Sequence, residues 1–217
     1  SLPVTLFWVI GITNAVNLLD NMDGLAAGIA GIAALVMVGF AVLTGSVATI
    51  VIGGAVGGAA LGFLAFNFKP ARIFMGDCGS LFLGFSIAAL ALIVQRQADV
   101  AGQLAVALVP LSVLAVPILD TTLVTFMRKL AGRPVSQGGR DHTSHRLVFL
   151  GLSEEHAVLT LYGLSLGSGA LALAVLFVDV KLFYALSVFA GVALGVFGVH
   201  LARANVYQAG GASGDGA

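Results

Sequence analysis

The feature that most limits the fold is a recurrence of long apolar runs. They occupy roughly Leu2 to Leu19, Leu25 to Leu43, Val47 to Phe66, Leu81 to Val94, Leu104 to Met127, Ala157 to Val178 and Leu182 to Leu201. A helix needs about 20 apolar residues to cross the hydrocarbon core of a bilayer. In lipid no water is at hand for the backbone, so such runs must satisfy their own N–H and C=O groups as helices. A membrane barrel would instead need segments of about ten strictly alternating residues, and no such alternation occurs. Composition agrees: 59% of residues are hydrophobic and 9% charged, against about 25% charged in soluble domains. The fold class predicted is all-α, a polytopic transmembrane bundle of about seven spanning helices forming one domain over residues 1–204. The small polar tail, 205–217, is expected to be disordered. Ser1 opens directly on an apolar run without methionine or leader, from which a piece of a longer membrane protein is expected.

If the runs alternate in direction, the stretches 20–24, 67–80, 128–156 and the tail all fall on one side. That side holds Lys69, Arg72, Arg128, Lys129, Arg133, Arg140, Arg146 and Arg203, and the other only Arg96 and Lys181. The positive-inside bias makes the first side cytoplasmic. Net charge is zero, so charge acts here through placement, and the single cysteine, Cys78, excludes an internal disulfide.

Three polar clusters interrupt the apolar runs on that side. The first, NAVNLLDNMDGLAAG, spaces Asn14, Asn17, Asp20 and Asp23 three apart, so a helix would carry them along one stripe onto the surface. Capping accounts for one Asp, but two carboxylates and two amides at membrane depth are expensive without a function. The second, NFKPARIFMGDCGS, sets Asp77 between Gly76 and Gly79, with Lys69 and Arg72 close by. Alone it reads equally as an N-cap region before a helix starting at Ser80. Asn67 offers amide hydrogen bonds and Phe74 a flat ring, a pair suited to a nucleobase; Lys69 and Arg72 suit phosphates or, equally, topology. The third is a long loop, KLAGRPVSQGGRDHTSHRLVFLGLSEEHA, with Arg140, Asp141, His142, His145 and Arg146. Histidines three apart can ligate a metal, but the flanking arginines oppose a cation and favour a diphosphate. Neutral imidazoles also donate to phosphate oxygens or move protons near pH 7.

Other positions carry plainer expectations. Asp120, inside an apolar run, either faces the same site or bridges helices. Pro110 and Pro117 kink or break the fifth run. The glycines of 53–62 and 191–198 stand at helical spacing and predict close packing between helices. Ser153 followed by Glu154 and Glu155 marks a helix start with His156 in its first turn. Arg96 and Asp99 fall in a short outer loop and are expected to be solvated.

Together the clusters supply carboxylates for a hard cation, cations for phosphates, and amides with an aromatic ring for a base. Mg²⁺ takes a few carboxylates together with substrate phosphates and waters. The chemistry this set suits is phosphoryl transfer between a soluble nucleotide and a lipid phosphate.

The same residues carry a resemblance. NAVNLLDNMDGLAAG is similar to the NxxNxxDGxDGLAxG signature of the polyprenyl-phosphate N-acetylhexosamine-1-phosphate transferases, the glycosyltransferase 4 family. NFKPARIFMGDCGSLFLG resembles that family's NxxPAxxFMGDxGSxxLG segment, and GRPVSQGGRDHTSHRL its RDHxxHRL loop, in the family's order. The resemblance implies transfer of a sugar 1-phosphate, N-acetylglucosamine 1-phosphate in the first instance, from a UDP-sugar to undecaprenyl phosphate, releasing UMP and requiring Mg²⁺ or Mn²⁺. It implies an early membrane step of a cell-envelope polysaccharide pathway, in the inner membrane with the active face cytoplasmic. No nucleic-acid partner is implied, and a homodimer is compatible with it. By position, Asp77 would be the metal ligand, and Asp20 and Asp23 the acidic pair needed for activity, Asp23 near the uracil. Asn14, Asn17 and Asn67 would contact nucleotide or sugar, Phe74 would stack on uracil, and Arg140, His142, His145 and Arg146 would hold diphosphate or sugar.

The loop resembles the N-acetylglucosamine-type branch more than the muramoyl-pentapeptide branch, which remains the alternative. The sequence departs from the pattern at Asn21, where glycine is usual, and at Ser144, where many members have another histidine. It also lacks the adjacent aspartates found upstream in the family, which again points to a missing N-terminal portion. Direct attack of the lipid phosphate on the β-phosphorus is the preferred mechanism, with a covalent aspartyl intermediate as rival. From another class, a transporter for an anionic solute would need its site near the bilayer midplane, where Asp120 is the available acid.

Overall fold

Backbone groups denied water bond to one another, and the computed structural model of the chain is helical through most of its described residues, 1–96, 103–135, 138–204 and 206. Among these the helices are α1 (Leu2–Leu19), α2 (Leu25–Thr44), α3 (Val47–Asn67), α4 (Gly76–Arg96), α5 (Gln103–Val113), α6 (Ala115–Leu130), α7 (Thr143–Phe149), α8 (Glu154–Ala174) and α9 (Val180–Ala202), with no strand. Six of them are long and apolar enough to cross a membrane, and α5 with α6 makes a seventh, bent by 74°. Asp99, the side chain of Arg96 and the tail other than Val206 lie outside the described residues.

The bend answers to a proline, as the sequence predicts. It falls at Leu114, three residues before Pro117. Pro117 has no N–H to give the carbonyl of Val113 and its ring occupies that carbonyl's space, so the helix cannot run through. Restarted at Ala115, α6 holds Pro117 in its first turn, where the donor would be unpaired anyway. Pro110 is accommodated inside α5.

Two boundaries differ from expectation. Helix α4 begins at Gly76, so Asp77 lies in its first turn instead of ahead of it. The polar loop after α6 contains a short helix of its own, α7, which the basic sequence conceals.

Helix α2 is the hub, packed on α3, α4 and α8, with residues 24–31 all buried. Small residues allow this, and on α3 they do so on one face only. Gly53 and Gly57 of α3 meet Val38, Ala34 and Leu35 of α2, whereas Gly54, Gly58, Gly62, Gly191 and Gly195 face open space. The close packing expected of 191–198 is thus confined to Gly198, against Leu119.

Helices α1 and α4 run antiparallel. The indole Nε1 of Trp8 donates to the carbonyl of Ala88 (3.2 Å), and Asn17 reaches Ser80. Between these contacts Gly84 lies against Thr13, so closely that a Cβ would stand 2.8 Å from the Thr13 carbonyl oxygen. That approach brings the end of α1 beside the start of α4. The polar connections gather at this one end, above a buried apolar floor that includes Leu19, Leu25, Ile29, Val116, Leu147 and Leu161.

Gly84→Val is expected to cost about 1–3 kcal/mol through overpacking against backbone and to lower the thermal unfolding midpoint in detergent. Gly58→Ala, which meets nothing within 4 Å and removes a glycine from a helix interior, is expected to hold or raise it; circular-dichroism melts compare the two.

Candidate functional site

Asp20 stands at the end of α1 and Asp77 in the first turn of α4, and Asn17 joins the two helix ends. Asn17, in the last turn of α1, donates through Nδ2 to Asp77 Oδ1 (3.1 Å) and to Ser80 Oγ (2.8 Å). Ser80 in turn donates to the Gly76 carbonyl (3.0 Å), closing the first turn of α4. Asp20 caps the C-terminus of α1, and burial, then the charge of Asp77, raise its carboxyl above the ordinary range. Asn14 lies apart, exposed and bonded to the Ile10 carbonyl of its own helix.

Among the described residues no three His, Cys, Asp or Glu side chains converge as a ready metal cage. The donor set present fits a hard cation of another kind: Asp77 is exposed, Asp20 is beside it, and both lack a cationic neighbour in the bonds above. A cation completing its shell with substrate phosphate and water is what such a pair suits. Asp77 also lies in the first turn of a long helix, where the dipole favours negative charge.

Beside the loop that follows Asp20 opens a cavity of about 920 Å³, whose walls include Asn21, Asp23, Arg140, His145, Phe149 and Glu154. This is within the range of small-molecule sites. One wall is the acid loop. Gly24 takes φ 78°, which glycine adopts freely, and its N–H donates to Asn67 Oδ1 (3.0 Å). Asn67 Nδ2 donates to the Ile73 carbonyl (2.9 Å), and Asp23 Oδ2 accepts from the Ala71 N–H (3.1 Å). Asn67 is buried with both ends of its amide engaged, so it clamps the 67–80 loop to the acid loop. Phe74 stands at the tip of that loop, 78% exposed. Lys69 pairs with Glu154, and that bond holds the ammonium more firmly protonated than usual.

The opposite wall is α7, held from behind by buried polar bonds. Asp120 is wholly buried. Its Oδ2 pairs with His142 Nδ1 (2.8 Å), and its Oδ1 accepts from the Thr143 N–H (2.6 Å) and the Thr143 hydroxyl. Arg128 grips Asp141 with two bonds, Nε to Oδ2 (2.7 Å) and Nη2 to Oδ1 (2.6 Å). Arg146 is fully buried, donating from Nε to the Asp141 carbonyl and from Nη1 to the carbonyls of Leu201 and Ala204 at the end of α9.

The histidine loop therefore divides. Arg140 and His145 line the cavity; His142 and Arg146, expected at diphosphate or sugar, are buried and bonded to protein in this structure. Burial, then His142 and Arg140, lower the His145 pKa, so its imidazole is less charged than an ordinary histidine's at the same pH. Sequence reasoning missed Glu154, Phe149 and Val206 as wall residues and Arg128 as a buried partner. Arg128 gave no signal because Asp141 lies 13 residues away across a loop.

With the geometry in place, comparison with known proteins is informative. Residues 1–95 match the family described as Glycosyl transferase family 4. A Bacillus subtilis protein named probable undecaprenyl-phosphate N-acetylglucosaminyl 1-phosphate transferase is 42% identical over 160 residues, covering 74% of this chain and 44% of that one. The decaprenyl-phosphate N-acetylglucosaminephosphotransferase of Mycolicibacterium smegmatis is 38% identical, covering 75% and 44%. The phospho-N-acetylmuramoyl-pentapeptide-transferase of Desulforudis audaxviator is 37% identical, covering 80% and 49%. The chain spans somewhat less than half the length of these relatives.

Asp120→Leu strands three buried donors, each worth about 1–3 kcal/mol when left unpaired. The amides of residues 143–147 are expected to exchange hydrogen at least about tenfold faster, while those of α2 keep their protection; exchange mass spectrometry reads both.

Proposed function

Residues 1–95 belong to glycosyl transferase family 4, and from that premise we propose that the protein transfers a sugar 1-phosphate from a UDP-sugar to a polyprenyl phosphate, releasing UMP. The observation that carries this reading is that Asn17, three residues before Asp20, holds Asp77 at the start of α4, and that the loop after Asp20 adjoins a cavity walled by Asn21, Asp23, Arg140 and His145. These acids suit a divalent cation, and a guanidinium with a neutral imidazole on the far wall suits a diphosphate. The polar end of the bundle is the cytoplasmic face of the inner membrane, where UDP-sugars are found and where eight of the ten Lys and Arg residues fall.

In the reaction, a phosphate oxygen of the lipid attacks the β-phosphorus of the UDP-sugar. A new P–O bond forms, the bond from that phosphorus to the bridging oxygen breaks, and the bridging oxygen leaves with UMP. Arg140 steadies the diphosphate, and His145 donates to its oxygens from the neutral imidazole. Asn17 holds Asp77, and Asn67 fixes the acid loop against residues 67–80, so the acids keep their places. Exposed Phe74 offers its ring to the base. Mg²⁺ or Mn²⁺ held by Asp77 and Asp20 would neutralise charge on the diphosphate, which together with positioning supplies most of the rate in such transfers.

N-acetylglucosamine is the favoured sugar, in keeping with the names of the Bacillus and Mycolicibacterium relatives. The Desulforudis relative supports a muramoyl-pentapeptide donor as the second reading. A transporter is disfavoured because Asp120 is spent on His142 and Thr143.

The test is UMP release by the full-length protein from labelled UDP-N-acetylglucosamine with undecaprenyl phosphate and Mg²⁺. Release that depends on the metal and falls at least about a hundredfold in Asp77→Asn is expected; solute flux without UMP overturns the reading. At subsaturating metal, where protons compete with the cation for Asp20, the rate is also expected to fall on acidification at a higher pH than for an ordinary carboxylate. Asp20 must be ionised to hold the cation, and its raised pKa means it takes up a proton earlier than usual. Without the cation the sign reverses for stability: the contribution of Asp20 is present at low pH and lost as pH rises through its raised pKa.

A further inference from the structure

We infer that Asn21 and Ser144 form a brace that fixes the distance between the acid loop and α7 across the cavity, which makes both positioning residues; the inference rests on the transfer reading above. Asn21 stands between Asp20 and Asp23, and Ser144 between His142 and His145. Both ends of the Asn21 amide are used. Its Nδ2 donates to the Leu18 carbonyl in the last turn of α1 (2.6 Å), and its Oδ1 accepts from Ser144 Oγ (2.7 Å), a residue 123 positions away. One planar group thus joins the end of α1 to α7.

The alternatives open to each side chain sharpen this. A serine in a short helix commonly turns its hydroxyl back to its own backbone, yet Ser144 donates across the gap. It is 1% exposed, so a larger side chain there has no room unless α7 moves. Without a side chain at position 21, Ser144 loses its acceptor and the Leu18 carbonyl its donor. Each residue therefore requires the other. These are also the two places where the acid and histidine motifs depart from the pattern they otherwise match, and the two departures touch.

The consequence concerns His145. Asp120 and Arg146 tie α7 to α6 and α9, and the brace ties it to the acid loop. With both in place, His145 faces Asp23 across the cavity at one spacing, and the acid loop and α7 behave as one body.

The test uses the full-length protein with Asn21→Gly, Ser144→Ala and the double variant, measuring kcat and KM for UDP-N-acetylglucosamine and amide exchange over residues 18–24 and 143–149. Each single variant is expected to lower kcat about tenfold with KM within about twofold, and the double to lose no more than either single, since coupled residues are non-additive. Losses that multiply in the double, a change confined to KM, or unchanged kcat in the singles overturns the brace. Should the parent release no UMP, the transfer reading fails and exchange alone decides. Joint loss of protection in both segments in each single variant, with no further loss in the double, supports the brace; loss confined to the mutated segment overturns it.

Discussion

The structure turns on a hydrogen bond between a neutral amide and a carboxylate, Asn17 to Asp77, made where two antiparallel helices end together. That bond needs α1 and α4 in near backbone contact, which Gly84 permits against Thr13. The same approach sets Asp20 beside Asp77, and two acids held near each other repel unless a proton or a cation intervenes. Burial first, and the charge of Asp77 second, raise the Asp20 pKa. A carboxylate with a raised pKa beside a second acid is a reason to look for a cation there.

Around this point the protein uses buried polar groups as framework. Asp120, Arg128, Asp141 and Arg146 are all buried and bonded, and they tie α6, α7 and α9 together behind the cavity. Such networks are costly to break because each lost partner leaves a buried charge or donor. They leave α7 rigid, and a rigid α7 presents His145 and Arg140 to the acid loop in fixed geometry, as positional catalysis demands. Cations that a simple reading gives to substrate are in part spent on architecture.

Much of this was legible in the sequence because the bilayer permits so few backbones. The apolar runs predict the spanning helices, and Pro117 predicts the break between α5 and α6. Asn17, Asp20, Asp23 and Asp77 announce themselves as polar groups that an apolar setting would otherwise reject. What sequence could not show is which polar residues face inward. His142 and His145 look equivalent as i, i+3 partners, yet only the fold puts Asp120 under one and the cavity before the other. Likewise Arg146 reads as a phosphate ligand until the end of α9 is seen to lie against it, and Asn67 reads as a base ligand until its amide is seen clamping two loops.

The central proposal is that Asp77, with Asp20, holds a divalent cation where α1 ends and α4 begins. Cys78, the single cysteine, is exposed and adjacent to Asp77, so a nitroxide attached there sits at the site. Electron paramagnetic resonance during a Mn²⁺ titration, with UDP present, tests the claim directly. Saturable broadening of the nitroxide signal, reversed by Mg²⁺ and absent in Asp77→Asn, is the expected result; a spectrum unaffected by Mn²⁺, or broadened equally in the variant, contradicts it.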